Sequence, residues 1–201
     1  MTSNSRTLRS GNFCAMIGNH FPKAGDSMHN HVIETERLIL RPLTTEDAEA
    51  EFVWLSDPEV NRFMPYSLYT NVADVVKWLE YASTTDAELH FGFVRNSDML
   101  LIGAGSIGPD ENEPGAWCFG YNLRRDCWNQ GYATEATKAM MQLAHRQYGV
   151  RIFTANHAIA NPASGRVMEK CGLTFDHFGE YSRFDRSETF PAKYWTLILE
   201  A

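Results

Sequence analysis

The 201-residue sequence lacks the features that identify several protein classes. No apolar run approaches the roughly 20 residues of a membrane-spanning helix, so we expect no membrane segment. Arg6 and Arg9 are not followed by the apolar stretch of a secretory signal. The four cysteines form no C-x-x-C pair. This spacing predicts free thiols in a reducing cytoplasm and no metal site.

The charge balance is acidic, with a formal net charge of −7 at pH 7. It argues against nucleic acid as the main partner, and it slightly favours cationic substrates such as amines. An equal alternative is that the negative charge only keeps the protein in solution. With 44% hydrophobic and 21% charged residues, the composition suits one globular domain with a sizeable core.

The first 30 residues are polar and have no clear periodicity. We expect a poorly ordered N-terminal extension or a short capping strand there, and a single domain over residues 31–201. Strands are predicted at residues 37–43, 89–95, 100–107, 116–123, 151–157, 173–178 and 194–199. Helices follow Thr44 or Thr45, Thr70 or Asn71, and Asn161. This order predicts an α/β fold with a mixed sheet and helices on both faces.

A strand, a tight loop and a helix follow one another between residues 117 and 144. Apolar residues alternate at strand spacing up to Leu123, and they recur at helical spacing from Ala133 onward. The start of a helix offers unpaired N–H groups and the positive end of the helix dipole to an anion. Gly131 lets the backbone approach such an anion closely. Neither G-x-G-x-x-G nor a Walker phosphate loop is present, and an ordinary strand–helix connection remains an alternative.

Three segments resemble the GNAT N-acetyltransferase superfamily. Residues 128–136, Trp-Asn-Gln-Gly-Tyr-Ala-Thr-Glu-Ala, are similar to its acetyl-CoA pyrophosphate loop, whose pattern is Gln/Arg-x-x-Gly-x-Gly/Ala. Residues 161–173 resemble the later Asn-x-x-Ser/Ala…Glu-Lys-x-Gly-Phe motif. Residues 34–42 resemble the first strand of the branch that contains ribosomal-protein alanine and serine N-acetyltransferases. In that branch a glycine is common where Asn129 stands, a mild departure because asparagine tolerates left-handed backbone.

The resemblance implies a GNAT fold, in which a central, mostly antiparallel sheet is splayed at the cofactor site. It implies acetyl-CoA as co-substrate, with backbone amides of the loop on the pyrophosphate and the end of the central strand along the pantetheine arm. The cofactor-binding residues implied in this way are Asn122, Leu123, Trp128, Asn129, Gln130, Gly131, Tyr132, Ala133, Thr134, Asn161 and Ser164.

The candidate catalytic residues are Ser164 and Asn161, from the later motif, and His157, at the end of the strand beside the cofactor gap. Many relatives use a tyrosine as the acid where Met168 stands here, so Ser164 or water becomes the candidate acid. Asn161 either bonds pantetheine or only caps a helix. Many relatives carry a basic glutamate at the position of Cys118, a poor amine base. His157 is the preferred base because the ordinary pKa of histidine is close to neutral pH. Other candidates are a water chain, Glu51, Asp176, His177 and Glu180.

The sequence therefore predicts a cytoplasmic, acetyl-CoA-dependent N-acetyltransferase, monomeric or homodimeric. Its acceptor is a primary amine, either a peptide N-terminus, which the branch resemblance favours, or a small amine. No nucleic acid, membrane or metal is expected. A CoA-binding module without catalysis is the main alternative, and an unrelated nucleotide-binding domain is a third.

Overall fold

The computed structural model describes residues 31–200. The expected N-terminal extension at residues 1–30 lies outside the described residues, as does Ala201. The sheet and helices that form the site belong to the described part.

Within residues 31–200, one sheet contains eight strands: β1 Ile33–Glu34, β2 Leu38–Arg41, β3 Leu89–Arg95, β4 Leu100–Pro109, β5 Ala116–Leu123, β6 Ile152–Ala158, β7 Thr174–Ser182 and β8 Thr189–Ile198. Their spatial order is β1-β2-β3-β4-β5-β6-β8-β7. Strands β5 and β6 are parallel, and the other neighbouring pairs are antiparallel. The predicted mixed sheet is confirmed.

Five helices cover the two faces of the described sheet: α1 Ala48–Leu55, α2 Pro58–Asn61, α3 Val72–Ala82, α4 Tyr132–Tyr148 and α5 Pro162–Lys170. Side chains of α1 and α3 pack with Val94 and Leu101 on one face. Side chains of α4 and α5 pack with Phe91, Phe93 and Ile102 on the other. Each face of the sheet thus buries its own apolar cluster, which is why both faces need helices.

Local sequence explains where the helices start. Asn71 accepts a hydrogen bond from the backbone N–H of Asp74 at 2.9 Å and caps α3. A short 3-10 turn at Thr45–Asp47 leads into α1, with Thr44 before it. The short helix α2 was not predicted from the sequence. Asp57 in fact caps this short helix by accepting from the N–H of Glu59 at 2.9 Å.

The closing hairpin is longer than predicted. Strand β7 extends to Ser182 and β8 begins at Thr189, whereas the sequence pattern predicts strands only at residues 173–178 and 194–199. Most side chains of β7 are exposed. An exposed strand has little apolar alternation, and this explains why the pattern stops short.

The described cysteines differ in state. Cys127 and Cys171 are buried free thiols, as predicted. Cys118 is disulfide-bonded, so the expectation of a free thiol is wrong at that position.

No group of three His, Cys, Asp or Glu residues within residues 31–200 is placed to hold a metal ion. No helix in that part of the chain is both long and apolar enough to cross a membrane.

Candidate active site

The central feature of the site is a split between β5 and β6. The two strands pair only where Ala116–Cys118 faces Ile152–Thr154, although β5 continues to Leu123 and β6 to Ala158. A cavity of about 560 Å³ opens beside the unpaired ends. Both strands, the loop before α4, the start of α5 and the α2–α3 linker line it. The splay implied by the resemblance is therefore present in the sheet.

The loop between β5 and α4 has two residues in the left-handed region. Asn129 has φ 60° and Gly131 has φ 87°. Trp128 and Gln130 fix the loop through side-chain donors: the indole Nε1–H donates to the Leu123 carbonyl at 3.0 Å, and the Gln130 amide donates to the Asp126 carbonyl at 2.9 Å. The backbone of the loop is thus set before any anion binds at the start of α4.

Arg37, the residue just before β2, clamps this loop. Its guanidinium Nε lies 2.7 Å from Glu135 Oε2, and its Nη1 donates to the Gln130 carbonyl at 2.9 Å. It also lies over the Tyr132 ring, 4.6 Å from the ring centroid. Burial opposes the charge on Glu135, but hydrogen bonds from Thr35 and Arg37 outweigh it and hold the pKa of Glu135 below its ordinary value.

The predicted residues of the later motif lie at the start of α5. Asn161 caps the helix, since its Oδ1 accepts from the Ser164 N–H at 3.4 Å. Ser164 Oγ lies 3.1 Å from the hydroxyl of Tyr121 on β5. Burial raises the pKa of Tyr121 well above its ordinary value, so this phenol stays protonated and able to donate. Both hydroxyls line the cavity.

His157 is buried near the end of β6 and lines the same cavity. Its Nδ1 lies 2.8 Å from the Ala158 carbonyl, and its Nε2 has no hydrogen-bond partner among the described atoms. A Cβ at Gly165 would lie only 2.7 Å from that Nε2, so the imidazole is packed beneath α5. Burial lowers the pKa of His157, which keeps the ring neutral at pH 7.

Residues 37–174 match the acetyltransferase (GNAT) domain. The uncharacterized N-acetyltransferase p20 of Bacillus licheniformis is 30% identical over 157 residues, which span 77% of this chain and 87% of that relative. The chain belongs to the GNAT acetyltransferase family. It is an acetyltransferase by this membership.

Solved GNAT structures share the fold. The GNAT-family acetyltransferase of Bacillus anthracis superposes with a TM-score of 0.74 at 20% identity, covering 84% of this chain and 98% of that one. The microcin C7 self-immunity acetyltransferase MccE, solved with acetyl-CoA and AMP, has a TM-score of 0.70 at 16% identity, over 82% of this chain and 94% of that one.

The α2–α3 linker forms the opposite wall of the GNAT cavity. Phe63, Met64 and Pro65 line it. Arg183, in the turn after β7, donates from Nη1 to the carbonyls of Met64 at 2.8 Å and Tyr66 at 3.0 Å. The long hairpin thus holds the linker in place.

Apart from His157, no residue that the sequence suggested as a base lines the described cavity. Glu51 is buried in α1 and contributes nothing to the cavity wall. Asp176, His177 and Glu180 are exposed on β7. Of the candidate bases named from the sequence, only His157 reaches the cavity.

Two cavity residues were missed by sequence reasoning. Tyr121 was assigned only to the apolar alternation of β5, and Ser106 on β4 was not considered. The strand alternation places Tyr121 on the face of α4 and α5, so that signal could have paired it with Ser164. Ser106 is directly opposite Gly120 on β5, a relationship that needs the strand register.

Proposed function

We propose that this GNAT protein transfers the acetyl group of acetyl-CoA to a primary amine. The observation that carries the proposal is the split between β5 and β6 beside a loop with left-handed Asn129 and Gly131. Backbone N–H groups from Trp128 to Ala133 would hold the pyrophosphate, and Asn161 the pantetheine arm. Acetyl-CoA supplies an activated thioester, so the protein need only orient the amine and move protons.

The residues present fit such a co-substrate. Gly131 leaves the approach to the helix start open, because an added Cβ would meet only the Arg37 guanidinium, at 3.3 Å. The Leu123 carbonyl already accepts a hydrogen bond from Trp128. The proposed contact of Leu123 with pantetheine would therefore use another backbone atom of Leu123 or the second lone pair of its carbonyl oxygen. The Tyr121–Ser164 hydroxyl pair, whose oxygens are 3.1 Å apart, would give a proton to the leaving sulfur.

The acceptor proposed is a peptide N-terminus, with a small amine as the second candidate. An N-terminal amine, with a pKa of about 7.7–8.0, loses its proton far more readily than a lysine side chain does. Asn122 supports an amine at this wall: its Nδ2 donates to the Tyr66 hydroxyl at 2.8 Å, and its buried Oδ1 has no partner among the described atoms. That oxygen is available to accept from a substrate N–H.

A CoA-binding module without catalysis is the second candidate, because the places where many relatives carry a base and an acid hold a disulfide-bonded Cys118 and a buried Met168. We further propose that residues 31–201 form the catalytic domain with residues 1–30 as an extension, and that the protein works in the cytoplasm as a monomer or homodimer.

Thiol release from acetyl-CoA across N-terminal peptides, polyamines and amino acids tests the proposal, with Asn161→Ala and Ser164→Ala beside the wild type. Turnover with one class of acceptor, reduced in both variants, supports the enzyme. Acetyl-CoA binding without turnover on any amine supports the binding module. Mass spectrometry of the peptide then locates the acetyl group.

A further inference from the structure

The face of the sheet that carries α1 and α3 has a polar group beside the cavity. Register places His90 opposite Ser106, and Ser106 opposite Gly120. Because Gly120 has no side chain, Ser106 is not covered from β5 and lines the cavity. Glu88, next to the start of β3, lies beside Ser106 on this face and interacts with its hydroxyl.

Glu88 occupies space that Gly108 leaves free. A Cβ on Gly108 would lie 2.6 Å from the Cβ of Glu88. Gly108 is directly opposite Cys118, the position at which many GNAT relatives carry a basic glutamate. Glu88 therefore lies two strands from Cys118, with Gly108 of β4 between them, and the disulfide at Cys118 removes the thiol from the role of base.

The environment of Glu88 suits a proton acceptor. Its side chain is 2% exposed, and Oε2 has no hydrogen-bond partner among the described atoms. Burial raises the pKa of Glu88 to about 8, although the interaction with Ser106 opposes the rise. A general base works best when its pKa is near the working pH. Among the described groups, His90 is a titratable neighbour, and its Nε2 lies 3.3 Å from Oε1 of Glu88; Trp78 of α3 packs on His90 and does not titrate.

We propose that Glu88, acting through the hydroxyl of Ser106, accepts the proton that the acceptor ammonium must lose. This inference rests on the proposed acetyl transfer. The ammonium gives one proton to Ser106 Oγ while Ser106 passes its own to Glu88, which later releases it to solvent. The freed nitrogen lone pair forms the C–N bond to the acetyl carbon. The C–S bond breaks with its electron pair on sulfur, which takes a proton from the Tyr121–Ser164 pair, and the second nitrogen proton replaces it on that pair.

The test is kcat as a function of pH, at saturating acetyl-CoA and peptide, for the wild type, Glu88→Gln, Glu88→Asp and Ser106→Ala. We expect kcat to fall about 100-fold in Glu88→Gln, the rise of kcat with pH near pH 8 to disappear, and the acetyl-CoA Kd to stay unchanged. Glu88→Asp should recover part of the loss because it keeps a carboxylate. Glu113→Gln, an exposed acidic residue in the β4–β5 loop, is the matched control.

A Glu88→Gln kcat within about threefold of the wild type, with the pH dependence retained, would overturn the inference while leaving the acetyltransferase intact. Absence of turnover in the wild type would instead contradict the proposed function. If Glu88→Gln does not fold, Ser106→Ala decides by the same criteria: a loss of at least about tenfold supports the relay, and wild-type turnover refutes it.

Discussion

The carboxylate of Glu135 is bound by the side chain and the backbone of Arg37, a residue 98 positions earlier in the chain. The backbone N–H of Arg37 donates to Oε1 at 2.8 Å, and its Nε donates to Oε2 at 2.7 Å. Glu135 lies in the first turn of α4, where a free negative charge would repel a bound pyrophosphate. Pairing with Arg37 neutralises that charge and ties the loop to β2.

Loss of this clamp should weaken acetyl-CoA binding. In Arg37→Ala we expect Kd to rise about tenfold, about 1.4 kcal/mol, because the loop loses its anchor and Glu135 its counter-charge. Isothermal titration calorimetry measures this. Lys77→Ala, which breaks the exposed ion pair with Asp74, is the control. An equal Kd in Arg37→Ala and wild type would show that the clamp does not organise the anion site.

The hydroxyls of Tyr121 and Ser164 should act as one unit in protonating the leaving sulfur. Tyr121→Phe keeps the ring in place, and we expect kcat to fall about 100-fold with acetyl-CoA affinity unchanged. The double variant with Ser164→Ala should lose little more, since residues that act together are not additive. The control is Tyr148→Phe, which removes a hydroxyl that lies outside the cavity and forms a hydrogen bond with His31. Strictly additive losses would contradict a shared role.

Buried Glu51 makes stability depend on pH. Burial raises its pKa from 4.5 to about 8, so the folded protein holds a proton that the unfolded chain releases in that range. Wild-type stability should therefore fall as pH rises from about 5 to about 8. Glutamine does not ionise, so the free energy of unfolding of Glu51→Gln relative to wild type should rise by several kcal/mol over this range.

Urea unfolding at the two pH values measures this difference, and the contribution of Glu88 is common to both proteins. Glu49→Gln, an exposed change in the same helix, should show no such dependence. A constant difference between Glu51→Gln and wild type would mean that Glu51 ionises normally in the folded protein.

Arg183 should control acceptor binding through the linker. Without its guanidinium, the carbonyls of Met64 and Tyr66 lose their donor and the wall loosens. We expect Arg183→Ala to raise the acceptor KM about tenfold and to leave the acetyl-CoA KM nearly unchanged. Glu188→Gln removes only the exposed ion pair with Arg183 and serves as control. Similar increases in both KM values would point to general destabilisation.

The strand end, loop and helix start proposed to bind the cofactor could be predicted as structural elements because they depend on local signals. A left-handed glycine before a helix and strand alternation up to Leu123 are both visible within a few residues, and Asn129 adopts the expected left-handed backbone. The acceptor and proton-transfer side depends on pairs that are distant in sequence. Tyr121 meets Ser164, and Ser106 meets Glu88, only after strand register and helix packing are known.

The length of β7 and the state of Cys118 were missed for related reasons. An exposed strand lacks the apolar period that marks a buried one, and residue spacing alone cannot decide which cysteines pair. Helix α2 is four residues long, too short to show a helical period.

Calorimetric titration of the protein with acetyl-CoA, ATP and NAD tests the central claim most directly. The account predicts binding of one acetyl-CoA per chain, weakened in Gly131→Val because a β-branched residue opposes the left-handed backbone at that position, and no comparable binding of ATP or NAD. Absence of acetyl-CoA binding, or preferential binding of ATP or NAD, would contradict the assignment of the split between β5 and β6 to acetyl-CoA.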